Sequence, residues 1–139
     1  GTRSDPMQAR EPDPREIIRG WGTLTAEVAP RVTPILLLLR AAAVTDPEMA
    51  RLRAEMDANR LSRMTRNART LAGPGHLRDD ISAEQAGEVL WTYTSPELYE
   101  LLALNRRWPP ARYGAFIADA MIAALLPPQP PAPSAVKRP

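Results

Sequence analysis

The sequence predicts an all-α protein, a bundle of about five to six helices, and three observations carry that reading. Apolar residues recur at spacings of three and four along most of the chain. Helix starts are spelled with the same local chemistry, a capping Asp or Ser followed by Pro and an acidic residue, at Asp13-Pro14, Asp46-Pro47 and Ser95-Pro96. No stretch alternates apolar and polar residues with the period of two that a half-buried strand requires.

Taken in order, residues 1–12 carry charges and prolines without apolar periodicity and read as a disordered leader. The first helix starts at the Asp13 cap, with Pro14 in the first turn and Glu16 favouring the positive helix N-terminus. Ile17, Trp21, Leu24 and Val28 share one face of it, with Ile18 beside them. Pro30 and Pro34 are expected to break or kink the path, because each removes a backbone donor. A second helix over 31–44 is apolar almost all round and is expected to be enclosed. Asp46-Pro47-Glu48 restarts the chain in a long helix over 47–72, striped by Met49, Leu52 and Met56, then by Leu61, Met64, Ala68 and Leu71. Gly73-Pro74-Gly75 ends it. Ser82 and Gln85 form a capping box for a helix over 83–94. Ser95-Pro96-Glu97 begins another to about residue 106, Trp108-Pro109-Pro110 turns the chain, and a last helix covers 111–126. The folded domain is thus 13–126, and 127–139 is a proline-rich tail without the apolar surface to fold.

With 139 residues, the chain has room for one domain that needs no staple. It has no cysteine, which excludes disulfides, thiolate metal sites and cysteine nucleophiles and fits a reducing, cytoplasmic setting. The net charge of +2 is small for a chain whose main task is gripping phosphates. The longest apolar run, 35–44, is interrupted by Arg40 and is about half the ~20 residues that span a bilayer, so no membrane partner is expected.

The last two helices are apolar on more than one side. Leu98, Tyr99, Leu101, Leu102 and Leu104 leave little polar surface on the first. Tyr113, Phe116, Ile117, Ala120, Met121, Ala124 and Leu125 form a broad face on the second. Small residues, Gly114, Ala115, Ala118 and Ala123, would let another helix approach closely. A second copy of the chain is the expected cover, two helices from each partner making a four-helix interface. The core of a single chain would also accommodate these side chains.

The run EVLWTYTSPELYELLALNRRWPPARYGAFIADAMIAALL resembles the C-terminal end of TetR-type (tetracycline-repressor-like) transcriptional regulators, and EVAPRVTPILLLLRAAAVTDPEMARLRAEMDANRLSRM is similar to their preceding helices. The likeness covers residues 13–126, and its most specific section is LWTYTSPELYELL followed by a Trp-Pro turn and a Tyr-led helix. It implies a C-terminal domain that binds a small effector and forms a homodimer through its last long helices. The implied interface residues are Leu98, Tyr99, Leu102, Tyr113, Phe116, Ala120, Met121 and Ala124. In that family operator DNA is read by an N-terminal helix-turn-helix, which these residues do not include. The chain opens on Gly1 rather than methionine, and an isolated sensor domain is the expectation. In a complete regulator the two reading heads sit about 34 Å apart to meet successive major grooves, and an effector that prefers another spacing releases DNA.

An effector site needs an apolar cavity with a few orienting polar groups. Trp21 and Leu24, Leu36, the adaptable methionines Met49, Met56 and Met64, and Trp91 and Tyr93 are the candidate lining. Tyr93, Thr25, Thr33 and Thr65 are candidate hydroxyl partners. Ordinary core packing accounts for each of them as well. Few charges are expected in the lining, hence an apolar or weakly polar ligand.

Three other readings compete. Enzymatic chemistry finds no foothold: the sole histidine, His76, follows Gly73-Pro74-Gly75 without ligands at helical spacing, Glu84 and Glu88 suit a solvated face, and no glycine-rich phosphate loop occurs. No catalytic residue, metal or cofactor is therefore expected. A phosphate track on the arginines of the long helix (Arg51, Arg53, Arg60, Arg63, Arg66, Arg69) is opposed by Glu55 and Asp57 among them, and a hydrated polar side fits better. The remaining alternative is a stand-alone helical scaffold, or a small-ligand or lipid-binding protein, without regulatory DNA binding.

Overall fold

A computed structural model describes residues 12–129. Within it every regular element is helical: α1 (Pro14–Ala42), α2 (Pro47–Ala72), α3 (Ala83–Tyr93), a single turn α4 (Pro96–Tyr99) that runs on as a π-helical stretch (Glu100–Asn105), and α5 (Pro110–Leu125). The all-α class thus holds, with four long α-helices and one short, wide-wound segment in place of about five to six regular helices. The expected leader and tail lie outside the described residues except for Pro12 and residues 127–129.

The caps form as the sequence writes them. Asp13 Oδ1 accepts from the Arg15 amide at 2.9 Å. Asp46 Oδ1 accepts from the Glu48 and Met49 amides at 2.9 and 3.4 Å. Ser82 and Gln85 make the reciprocal box, Ser82 N–H to Gln85 Oε1 at 2.8 Å and Gln85 N–H to Ser82 Oγ at 3.1 Å. Each satisfies an amide that the first turn leaves without an intrahelical acceptor.

Pro30 and Pro34 do not break the helix: α1 is one helix of 29 residues with both prolines inside it. Residues four apart share a helix face, and both rings lie on the exposed side. The inner face continues past them, burying Ile18, Gly22, Ala26, Ala29 and Thr33 at spacings of three and four. Packing along that stripe outweighs the loss of the proline donors.

The expectation that residues 31–44 are enclosed is corrected. Beyond Pro34 only Leu39 is buried, while Ile35 and Leu38 are 64% and 73% exposed. Among the described residues no other helix covers Ile35 and Leu38. By length and composition alone α1 is long and apolar enough to cross a bilayer, a property that core helices of soluble proteins share. Its last turn is tied down by charge. Arg40 reaches Glu97 at 3.3 Å and Glu100 at 3.1 Å, clamping α1 to the start of the α4 segment.

The helices associate as two pairs, α1 mainly with α5 and α2 mainly with α3, joined where α1 meets α2 and where α3 meets α5. Ile18, Ala68, Leu71, Leu90, Tyr113, Ile117, Met121 and Leu125 form the shared core. Burial of each large apolar side chain contributes about 1.5–3 kcal/mol. Glycines set the closest approaches. A Cβ on Gly22 would meet the Gly114 carbonyl oxygen at 2.7 Å, and one on Gly87 would meet Thr65 Oγ1 at 2.6 Å. The small residues Gly114 and Ala118, read as a landing strip for a second molecule, therefore receive α1 of the same chain. The α2–α3 loop closes the end of α5: the Arg78 amide donates to the Leu125 carbonyl at 2.9 Å and its guanidinium to the Ala124 carbonyl at 3.3 Å. Asp80 holds that guanidinium at 2.8 Å, and the arginine in turn keeps the Asp80 carboxyl below the usual carboxylate range.

Candidate ligand cleft

Between α1 and α2 lies a cleft of about 460 Å³, within the range that holds small molecules. Its apolar wall comes from α1, where Leu24, Val28, Val32 and Leu36 follow one another at helical spacing. Met56 and Met64 face them from α2, with Arg60 and Arg63 between. The start of α4 contributes Pro96 and Tyr99, and α5 contributes Tyr113. Leu24 is 57% exposed, so the cleft has an open, oily lip.

Arg60 is the structural hinge of the α2 wall. Its guanidinium donates to the Trp91 carbonyl and, at 2.9 Å, to Thr94 Oγ1, and it lies 5.1 Å from the Trp91 ring centre. Trp91 Nε1 donates back to the Asp57 carbonyl at 3.0 Å. The cation thus serves the C-terminal carbonyls of α3, where the helix dipole favours it. Burial lowers its pKa, with Asp57 opposing that shift. Arginine remains charged throughout the physiological range.

Tyr113 supplies the most informative atom. Its side chain is fully buried, and its ring meets Tyr99 edge to face with centres 5.2 Å apart. Its Oη is the only fully buried side-chain polar atom without a hydrogen-bond partner among the described residues. Burial and the neighbouring Tyr99 push its pKa to about 12, so at neutral pH it is a protonated donor without an acceptor. Buried polar groups are nearly always paired, so an unpaired hydroxyl on a residue of the cleft lining stands out.

Of the expected lining, Leu24, Leu36, Met56 and Met64 meet at this cleft, as do the hydroxyl candidates Thr25 and Thr33. Trp21 and Tyr93 pack against the core instead, Met49 sits near the start of α2, and Trp91 lies beneath Arg60. Thr65 donates to the Leu61 carbonyl and faces Gly87. The expectation of few charges is corrected, since Asp57, Arg60 and Arg63 all line the cleft. A signal was there to be read: Arg60 stands four residues from both Met56 and Met64, on the line of the apolar stripe itself.

Of the interface candidates, Tyr113 and Met121 are fully buried within the single chain. Leu98, Tyr99, Leu102, Ala120 and Ala124 are half-buried, and Phe116 is 38% exposed. The reason is that α1 and α3 already occupy the broad face of α5. What these segments do present outward is Leu101, Leu104 and Phe116, the last stacked edge to face on Trp108, over which Arg112 lies.

The described residues form an all-α fold with an open cleft lined by apolar and charged side chains. No family model matches the chain, and no curated protein or solved structure matches it either.

Proposed function

We propose that the chain is the ligand-sensing and self-associating domain of a TetR-type transcriptional regulator, controlling DNA binding by a helix-turn-helix outside these residues. The observation that supports the ligand-binding half is the cleft itself, about 460 Å³, with Leu24, Val28, Met56 and Met64 beside Arg60 and Arg63 in its lining. The regulatory half rests on the resemblance of residues 13–126. Because α1 and α2 line the cleft from opposite sides, a molecule seated between them draws on their relative position, and a preference of about 1–3 kcal/mol between two such positions is ordinary allosteric coupling. Leu101, Leu104 and Phe116 are the apolar groups available to a second copy.

One observation favours a stand-alone lipid or small-ligand carrier: the apolar side of α1 continues out of the cleft through Ile35 and Leu38 to solvent. The encoded sequence ahead of Gly1 separates the two. A helix-turn-helix there supports the regulator; a start codon close by supports the carrier. In solution, a ligand that occupies the cleft raises the unfolding temperature in proportion to the logarithm of its concentration. A panel of apolar metabolites without any such shift would remove both readings.

A further inference from the structure

The charged groups of the cleft are unbalanced, with Arg60 and Arg63 against Asp57 in the lining. Arg60 is half-buried, and its hydrogen bonds go to neutral oxygens. Arg63 lines the same cleft and forms no ion pair among the described residues. The one lining carboxylate, Asp57, has Arg53 Nε at 4.0 Å. Two cations therefore face the cleft against one shared carboxylate, and the Tyr113 hydroxyl adds a donor with no acceptor.

A ligand entering the cleft displaces water from both guanidinium groups. An uncharged ligand would leave them less solvated than before, and a cationic one would add repulsion. An anionic group restores what the water supplied, through charge-assisted hydrogen bonds. A single negative charge suits two arginines beside an aspartate better than a multiply charged phosphate.

We infer that the cleft takes an organic monocarboxylate with an apolar body and one further acceptor oxygen. The carboxylate sits beside Arg60 and Arg63, the body lies along Leu24 and Val28, and Tyr113 Oη donates to the further oxygen. This rests on the ligand-binding reading above and narrows it from apolar or weakly polar molecules to acids.

Isothermal titration with three ten-carbon probes, decanoate, 1-decanol and decylamine, tests it on the full 139-residue chain. Decanoate is expected to bind about tenfold more tightly than decanol, with decylamine weakest. Arg63→Glu, a reversal at an exposed position, is expected to weaken decanoate about tenfold and leave decanol unchanged. A keto-decanoate is expected to bind about fivefold more tightly than decanoate, and Tyr113→Phe to abolish that advantage. Decanol binding as tightly as decanoate, or decanoate binding that ignores Arg63→Glu, overturns the acid assignment and leaves a ligand cleft standing. No heat from any of the three probes at millimolar concentration overturns the cleft reading with it.

Discussion

Gly22 and Gly114 lie against each other where α1 crosses α5, so close that a Cβ on Gly22 would fall 2.7 Å from the Gly114 carbonyl oxygen and 2.9 Å from Ala118 Cβ. Both obstructing groups belong to the helix framework and cannot swing aside. Gly22→Ala is therefore expected to push the helices apart and destabilise the fold by about 1–3 kcal/mol or more. Gly20, two residues earlier and on the exposed side, has nothing within 4 Å of its would-be Cβ. Gly20→Ala is expected to stabilise by about 0.5–1 kcal/mol through helix propensity. Urea midpoints of the two variants, moving in opposite directions, check the pair; equal shifts would deny that this crossing is tight.

That crossing also shows what sequence could and could not tell. Asp13, Asp46, Ser82 with Gln85, and Ser95 marked four of the five α-helix starts because capping is settled within four residues, while α5 starts after Pro109 without a side-chain cap. The identity of the cover over α5 is not local. A face built from Tyr113, Ile117, Met121 and Leu125 has the same spacing whether α1 of its own chain or a second copy lies on it. Pro30 and Pro34 misled for a related reason: their local penalty is real, but the stripe from Ile18 to Thr33 is fixed by a partner helix some ninety residues away in sequence, as Gly22 and Gly114 show. Of the expected lining, Leu24, Leu36, Met56 and Met64 were legible from apolar periodicity. Arg60 could have been found from its place between Met56 and Met64 on the same stripe, but Tyr113 could not, because a ring within a broad apolar face acquires its surroundings only when three helices meet.

The orphan hydroxyl of Tyr113 makes a pH prediction. Its pKa is raised to about 12 from an ordinary value near 10, so the unfolded chain loses this proton first. Below about pH 10 both states keep the proton and the hydroxyl adds no pH dependence. As pH rises from about 10 towards 12, the unfolded state ionises while the folded state resists, and stability falls. Tyr113→Phe removes this slope. It also removes an unpaired buried polar group, and is expected to be neutral or stabilising by about 1 kcal/mol at pH 7. Urea midpoints of both proteins at pH 7 and pH 11 decide the matter: a Phe variant clearly less stable at pH 7 would mean that the hydroxyl has a partner in the folded chain.

Arg107 ends the π-helical stretch with φ at 61°, the left-handed region that costs a side chain about 1 kcal/mol. The reversal aims Trp108 back so that its amide donates to the Leu102 carbonyl at 3.0 Å. Arg107→Gly relieves the strain and is expected to stabilise by a few tenths to about 1 kcal/mol, the gain offset in part by the greater freedom of glycine in the unfolded chain. Arg107→Val is expected to lose about 1–2 kcal/mol, since a β-branched side chain tolerates this backbone least. Thermal unfolding of the two variants checks the order, and a valine variant as stable as the wild type would contradict the backbone assigned to this turn.

Self-association is the prediction on which the regulator reading leans most. Leu101 and Phe116 are 57% and 38% exposed, and neither belongs to the buried core cluster. Leu101→Glu places a charge on an exposed apolar position and is expected to change monomer stability by about 0.5 kcal/mol or less, while Phe116→Glu also loses the edge-to-face contact with Trp108 and is expected to cost about 0.5–1.5 kcal/mol. If a second copy covers these side chains, both variants shift a dimeric wild type to monomer, because an unpaired charge held in an apolar interface costs several kcal/mol. Met121→Glu serves as the contrast. Met121 is fully buried by its own chain, so this change should unfold the protein rather than separate subunits. Light scattering at tens of micromolar distinguishes the cases, and a monomeric wild type at that concentration removes self-association through α5 and the segment before it.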